Sequence, residues 1–416
     1  MLKLFNKNPD RRNFTINLAE GALFMAGAAV VAPHTVLPAL LTRLGGNNMV
    51  VGALIVITWV GLYLPQIFAA RYAQRQQWKK KWAIRWGLFQ RINVLLIMCV
   101  LFIFGADHQS VTITLILLLF TVHQILMGIA TPFWFDMFAK LTEPHLRGRL
   151  AGIRTAIAGI GALFGSLLLS KLLIQFDFPF GYAIAFSITF ILQLISILLQ
   201  FGLVEETPSH TIATETLSEY FASLKSVLKN NREFRNFLYA SIPLTLAVMP
   251  AGFFTVYGLH HFAADDSVVG TFTLMMVVGQ GTGALINGFV ADHFGNKVAL
   301  ISGASAMFFA SLLGTLSGSI EIFYGVFLFM GMNLGSELMI RHNIAMEYAP
   351  VERRSTYIAL MNMILSPFYV SGLLGGWISE VFGYNWLFGL AMGCSFIGIL
   401  LMILIVNEPR IKVKAV

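Results

Sequence analysis

Charge is scarce in this sequence. Only 12% of its 416 residues are Asp, Glu, Lys or Arg, against about 25% in soluble globular proteins. Hydrophobic residues make up 57%, and the mean hydropathy is +0.75. Half the usual charge does not cover a water-facing surface, which excludes a soluble enzyme. So apolar a chain is not disordered either. Cysteine is scarcer still. Cys99 and Cys394 lie inside apolar runs, offer neither a disulfide framework nor metal-ligand spacing, and are expected to be packing residues. No Gly-x-x-x-x-Gly-Lys-Ser/Thr loop is present, so direct use of ATP is not expected. The nucleophile–base or metal constellation of an intramembrane enzyme is missing too. We expect no enzyme, no metal and no cofactor.

Apolar residues are abundant, in runs long enough to cross a bilayer. At roughly 20 residues per spanning helix, 57% of the chain suffices for about twelve. The runs fall at 14–41, 49–70, 83–105, 111–138, 151–174 and 181–203. After a polar interval come 237–262, 268–291, 298–316, 320–346, 356–381 and 384–406. They are continuous rather than alternating, and a backbone in lipid must satisfy its own hydrogen bonds, so helices are expected. The basic, polar start at Met1–Arg12 has no small-residue cleavage site after it, and the first run reads as a retained span.

The net charge of +8 is explained by topology rather than by nucleic acid. With twelve spans, 25 of the 28 lysines and arginines fall on one side, leaving Arg43, Arg91 and Lys171. The opposite loops carry Asp107, Asp177, Asp265, Asp266 and Glu380. This positive-inside asymmetry puts both termini in the cytoplasm. The run Lys79-Lys80-Lys81 between Trp78 and Trp82 reads as a headgroup anchor.

The polar interval divides the chain into residues 1–204, an N-terminal six-helix bundle; 205–236, a linker; and 237–416, a C-terminal bundle. Within the linker, Leu217, Tyr220, Phe221, Leu224 and Leu228 recur at helical spacing, and Thr216 with Glu219 forms a capping box. These predict an amphipathic helix along the membrane surface. The halves also resemble each other. Val50-Val51-Gly52 followed by Gly61 matches Val268-Val269-Gly270 followed by Gly279 at an offset of 218; Pro144 and Arg147 match Pro350 and Arg353 at 206. Gly181-Tyr182 and Gly383-Tyr384 open spans six and twelve. Two six-helix halves in the same orientation are a parallel repeat, an architecture built for alternating access.

Between spans eight and nine the chain reads Gly288-Phe-Val-Ala-Asp292-His-Phe-Gly295-Asn-Lys297. Gly288 would let helices approach, Gly295 would permit a turn with positive φ, and Asp292 would pair with a cation or a helix N-terminus. This loop resembles the short-loop signature of the major facilitator superfamily. The same offset in the first half gives Ala70, Gln74, Gln77 and Lys79, so the first copy keeps only its basic position, a departure from the family pattern that argues against symmetric gating. The resemblance implies an all-α membrane protein of twelve transmembrane helices in two pseudo-symmetric six-helix bundles. It further implies a gradient-driven secondary transporter, with spans one, four, seven and ten lining the cavity.

Ionisable groups inside spans are expensive and mark function. Glu20 in span one is a candidate proton carrier, or a carboxylate paired with a structural Arg. In span ten, Asn333, Glu337 and Arg341 are candidates, the last two at i and i+4 on one helix face as a switchable or a static pair. His123 and Gln124 in span four and His34 in span one complete the candidate solute and proton sites. Arg91 reads as snorkelling or interhelical, and Asp136 as a partner of Arg147, Arg149 or Arg154. The candidate gating set is Gly288, Asp292, Gly295 and Lys297 with Arg149 or Arg154, a latch of Asp292 to one of the arginines. Pro33, Pro38, Pro65, Pro132, Pro243, Pro250 and Pro367 predict kinks. Gly159, Gly161, Gly165, Gly372, Gly375 and Gly376 predict close helix crossings.

The expectation is therefore a transporter in a bacterial-type inner membrane, monomeric. Its partners are a small organic solute, protons or another coupling ion, and lipid, with no nucleic acid. The signatures of sugar porters and peptide transporters are missing, as is the Gly-Pro element of drug antiporters in span five. Efflux of drugs or metabolites is the alternative direction, and lipid flipping a further alternative.

Overall fold

The computed structural model describes residues 8–209, 217–350 and 353–408. Among these there are α-helices, short 3-10 turns and no strand. Ten of the apolar runs form helical segments long and apolar enough to cross a membrane. They are α3 (Asn48–Gln74), α4 (Lys79–Ile103), α5 (Gln109–Leu141), α6 (Arg147–Gln175), α7 (Phe180–Phe201), α11 (Val268–Phe294), α12 (Asn296–Leu316), α13 (Ile320–Glu347), the pair α14 (Arg354–Leu365) and α15 (Ser371–Val381), and α16 (Tyr384–Ile405). Several outrun their apolar stretch by a few residues at each end, because backbone hydrogen bonding continues past the last apolar side chain.

Spans one and seven, the first of each half, differ from expectation in the same way. Each is broken: α1 (Pro9–Val30) and α2 (Val36–Arg43) replace one continuous run, as do α9 (Arg232–Leu246) and α10 (Phe253–His261). Pro33 and Pro250 lie in the breaks, where the missing N–H interrupts the i→i−4 ladder. The turns are closed locally, with Thr35 and Val36 N–H donating to the Ala32 carbonyl, and Phe253 and Phe254 N–H to that of Pro250. Span eleven passes through a 3-10 turn at Ser366–Val370 around Pro367. Pro65, Pro132 and Pro243 sit inside helices that stay continuous.

The chain forms two compact units. Unit 1 holds Met1–Gly45, Gly61–Thr214 and Asp266–Gly270; unit 2 holds Gly46–Val60, Glu215–Asp265 and Thr271–Val416. Packing repeats between them. In unit 1, α1 packs on α7, and α4 on α5 and α7; in unit 2, α9 packs on α16, and α12 on α13 and α16. The glycines matched by sequence occupy equivalent crossings. A β-carbon at Gly61 would lie 3.0 Å from Gln124 Cβ on α5, within unit 1; one at Gly279 would collide with the Leu328 carbonyl oxygen on α13, within unit 2. Of the six glycines expected at crossings, Gly159 instead faces open space.

The linker helix α8 (Leu217–Asn230) is present, while Thr216 of its expected cap lies outside the described residues. One face of the helix packs inward. Leu224 and Val227 enter the core of unit 2 with Phe234, Phe237, Ile344 and Tyr357, and Val227 takes an inward place not assigned to it from the sequence.

The lysine run also differs from the anchor expected of it. Lys79 is buried and pairs with Asp136 at 3.2 Å, so Asp136 does not join the arginines. Lys80 Nζ donates to the carbonyls of Phe201 and Leu203. Glu205 accepts from the Lys79 and Lys80 backbone N–H and from Lys140 Nζ at 2.6 Å. A carboxylate over the free N–H groups that open α4 satisfies donors no helix can satisfy itself.

Candidate functional site

Inside unit 1, α1 brings Glu20 to α6 and α7, and the carboxylate is 2% exposed. Its Oε1 accepts from Gln200 Nε2 at 2.8 Å and from Ser196 Oγ at 3.4 Å. Its Oε2 makes no hydrogen bond; the nearest cation is Arg154 Nη1 at 3.9 Å. The Arg154 guanidinium lies over the Trp134 ring, 4.4 Å from the centroid. Arg154 thus faces into unit 1 and meets Glu20. Arg91, also buried, is an interhelical clamp: Nε donates to the Gln193 carbonyl at 2.7 Å, Nη1 to the Gly87 carbonyl and Gln90 Oε1, and Nη2 to Ser196 Oγ.

The chain of polar contacts continues to His123. Gln90 Nε2 lies 3.2 Å from His123 Nε2, and the Gln90 backbone carbonyl 3.2 Å from Nδ1. A neutral ring protonated on Nδ1 satisfies both contacts. Two adjoining cavities follow this chain. One, of about 200 Å³, is lined by Glu20, Arg91, Trp134, Arg154 and Gln200; the other, of about 160 Å³, by His123, Gln124, Thr189 and Gln193. Phe24, Gln90 and Met127 line both. His34 is buried in the break between α1 and α2 and lines neither cavity.

Unit 2 carries a second charged pair. Glu337 and Arg341, one helical turn apart on α13, form a buried ion pair. Arg341 Nη1 donates to Thr245 Oγ1 on α9 at 2.9 Å. Asn333, one turn before Glu337, donates to the Gly303 carbonyl on α12. In each unit, then, a buried carboxylate is set against a guanidinium, and the helix that begins the half takes part through Glu20 or Thr245.

Of the expected gating set, Gly295 has φ +96° and Asn296 opens α12 directly after it. Lys297 N–H donates to Glu408 Oε2 at 2.8 Å and its Nζ to the Ile403 carbonyl. Gly288 meets open space, not a helix crossing. Asp292 and Arg149 are exposed. Arg154 is turned toward Glu20.

Sequence reasoning missed Gln200, Ser196, Trp134 and Thr245. The first two had a signal: Gln193, Ser196 and Gln200 recur at i, i+3 and i+7 along α7, with Thr189 one turn earlier, so a polar face of α7 was legible. Trp134 and Thr245 had none, being single residues whose partners come from other helices.

Ten helices long and apolar enough to cross a membrane, with helix packing repeated between the two units, mark an integral membrane protein. The family model of the Major Facilitator Superfamily matches residues 20–261 and 244–416, and the chain belongs to that superfamily. A mutant form of the nucleoside transporter NupG has a similar structure: TM-score 0.73 at 12% identity, over 94% of this chain and 100% of that one. A D-xylose-proton symporter matches with TM-score 0.73 at 15% identity over 95% and 98%. A bacterial homologue of the iron transporter ferroportin, inward-facing, matches with TM-score 0.67 at 14% identity over 94% and 98%. At these identities the likeness is one of fold. No curated protein matches the chain.

Proposed function

We propose that this protein is a secondary active transporter that carries a small organic solute across a bacterial-type inner membrane by alternating access, coupled to protons. The proposal takes residues 1–204 and 237–416 as the two bundles, joined by 205–236, in a monomer with both termini in the cytoplasm. The observation that carries it is the pair of buried carboxylates. Glu20 faces Arg154 in one unit and Glu337 faces Arg341 in the other. A carboxylate held beside a guanidinium away from water has two exclusive partners, the cation and a proton. Taking up the proton frees the guanidinium, so occupancy by a proton and release of a cationic side chain are linked. Asp292 and Arg149, both exposed, are the proposed latch of the cytoplasmic side.

The test is uptake by proteoliposomes across a panel of nucleosides, sugars, organic acids and amines, with and without an imposed pH gradient, repeated for E20Q and E337Q. We expect one solute class to accumulate with the gradient and at least one variant to lose accumulation while keeping exchange. Movement of a confirmed solute that ignores the gradient would remove proton coupling. Outward movement driven by an inward gradient would make the protein an efflux antiporter.

A further inference from the structure

The charged side chains lining the larger cavity of unit 1 do not balance. One carboxylate, Glu20, faces two guanidinium groups, Arg91 and Arg154, which leaves a surplus of one positive charge on side chains that are themselves buried or nearly so. The two arginines differ in how that charge is met. Arg91 spreads its own over two backbone carbonyls, Gln90 Oε1 and Ser196 Oγ. Among the described residues Arg154 has no hydrogen-bond partner: its Nε is buried without one, and Glu20 Oε2, at 3.9 Å, is beyond hydrogen-bonding reach. Its side chain is nonetheless only 11% exposed. A guanidinium presents five N–H donors in a planar fork that matches a carboxylate. Leaving the buried Nε donor unmet in a low-dielectric site is costly.

The surroundings hold that guanidinium in place. Gly21 makes room for it, since a β-carbon there would collide with Arg154 Nε. The Trp134 ring supports one face, and Trp134 Nε1 is a second buried donor without a partner. The rest of the wall is mostly apolar, with Phe24, Met25, Ala83, Met127 and Phe135, and carries polar groups at Gln90, Thr131 and Gln200. Two unmet donors and a surplus positive charge beside the apolar side chains of Phe24 and Met127, around about 200 Å³, describe the receptor for one kind of molecule. The volume is below the roughly 300–1,000 Å³ of drug-sized sites.

We infer that this cavity binds a small organic monoanion, with its carboxylate on Arg154 and Trp134 Nε1 and its hydrocarbon part against Phe24 and Met127. The bound anion brings the charge of the cluster to zero. The inference rests on the reading of the chain as a transporter, which makes the anion its solute.

The test uses the purified full-length protein in detergent, with butyrate and benzoate as probes and their neutral isosteres butyramide and benzamide as controls. Thermal stability and tryptophan fluorescence are followed against ligand concentration. The carboxylates are expected to raise the melting temperature and alter the fluorescence, and the amides to do neither. R154Q should weaken carboxylate binding more than tenfold. R154K keeps the charge but not the fork, and should fall between R154Q and the wild type. Monodisperse elution of R154K guards against misfolding as the cause. Equal binding of acid and amide, wild-type affinity in both variants, or no response to either carboxylate would overturn the inference. Flux of a neutral solute that R154Q leaves intact would remove the anion site and keep the transporter. Arg154-dependent binding without flux would do the reverse.

Discussion

The carboxylate of Glu408 occupies the space that any side chain at Gly295 would need: a β-carbon there would collide with Glu408 Cδ. Glu408 in turn accepts from Lys297 N–H at the start of α12. Glu205 does the same for α4 through Lys79 and Lys80. The carboxylate that ends each half thus caps the helix that opens its third span, although the loop sequences before those helices have diverged.

Gly295→Ala should destabilise the protein on two counts, positive φ and collision with Glu408. We expect a loss of about 1–3 kcal/mol, read as a lower melting temperature in detergent. E205A should cost more than E408A, because Glu205 also holds Lys140 and a buried charged acceptor is worth about 1.5–3 kcal/mol per hydrogen bond. The reverse order would contradict the capping account.

Tyr348, just beyond α13, donates to the Asn407 carbonyl at 2.5 Å. Burial, with smaller contributions from Glu233, Glu408 and Glu347, raises its hydroxyl pKa well above the ordinary value of 10. The unfolded chain therefore releases this proton at lower pH than the folded one. The resulting stability is complete below pH 10 and declines as pH rises through the folded value. Alkaline melting curves of Y348F should lack that decline, and an ultraviolet titration should show one tyrosine ionising late.

The buried pair of Glu337 and Arg341 should behave as a unit. R341A leaves Glu337 buried without its cation and should cost about 3–5 kcal/mol, whereas the apolar double substitution E337L/R341M should cost far less. Thermal melts of both singles and the double form the cycle; additive losses would show that the two do not interact.

Much of the fold was legible in the sequence because lipid imposes a length and a charge asymmetry. All twelve apolar runs coincide with helix to within a few residues at their ends, ten of them as segments long and apolar enough to cross a membrane. The breaks in runs one and seven are not legible in the sequence, although Pro33 and Pro250 predict kinks there. Whether a proline bends a helix or divides it depends on what neighbouring helices offer the freed carbonyls, which one sequence does not contain. The same limit hid the partner of Arg154. Its position in span five fits a latch to Asp292, but in the structure it lies beside Glu20, in space left by Gly21. Lys79 read as an anchor because a lysine beside tryptophans at a span end ordinarily is one; Asp136, on another helix, draws it inward.

Asp292 tests the proposed latch. D292N removes the charge available to Arg149 and should shift the protein toward its inward-open state. The check is the labelling rate of single cysteines placed along α5 and α13. Unchanged rates would refute the latch.

Solute-driven proton movement tests the central claim most directly. A pH-sensitive dye is enclosed in proteoliposomes without any imposed gradient, and an accumulated solute is added outside. The account predicts an internal pH change with the wild-type protein and its loss in E20Q or E337Q. Entry of the same solute with no movement of protons would contradict it.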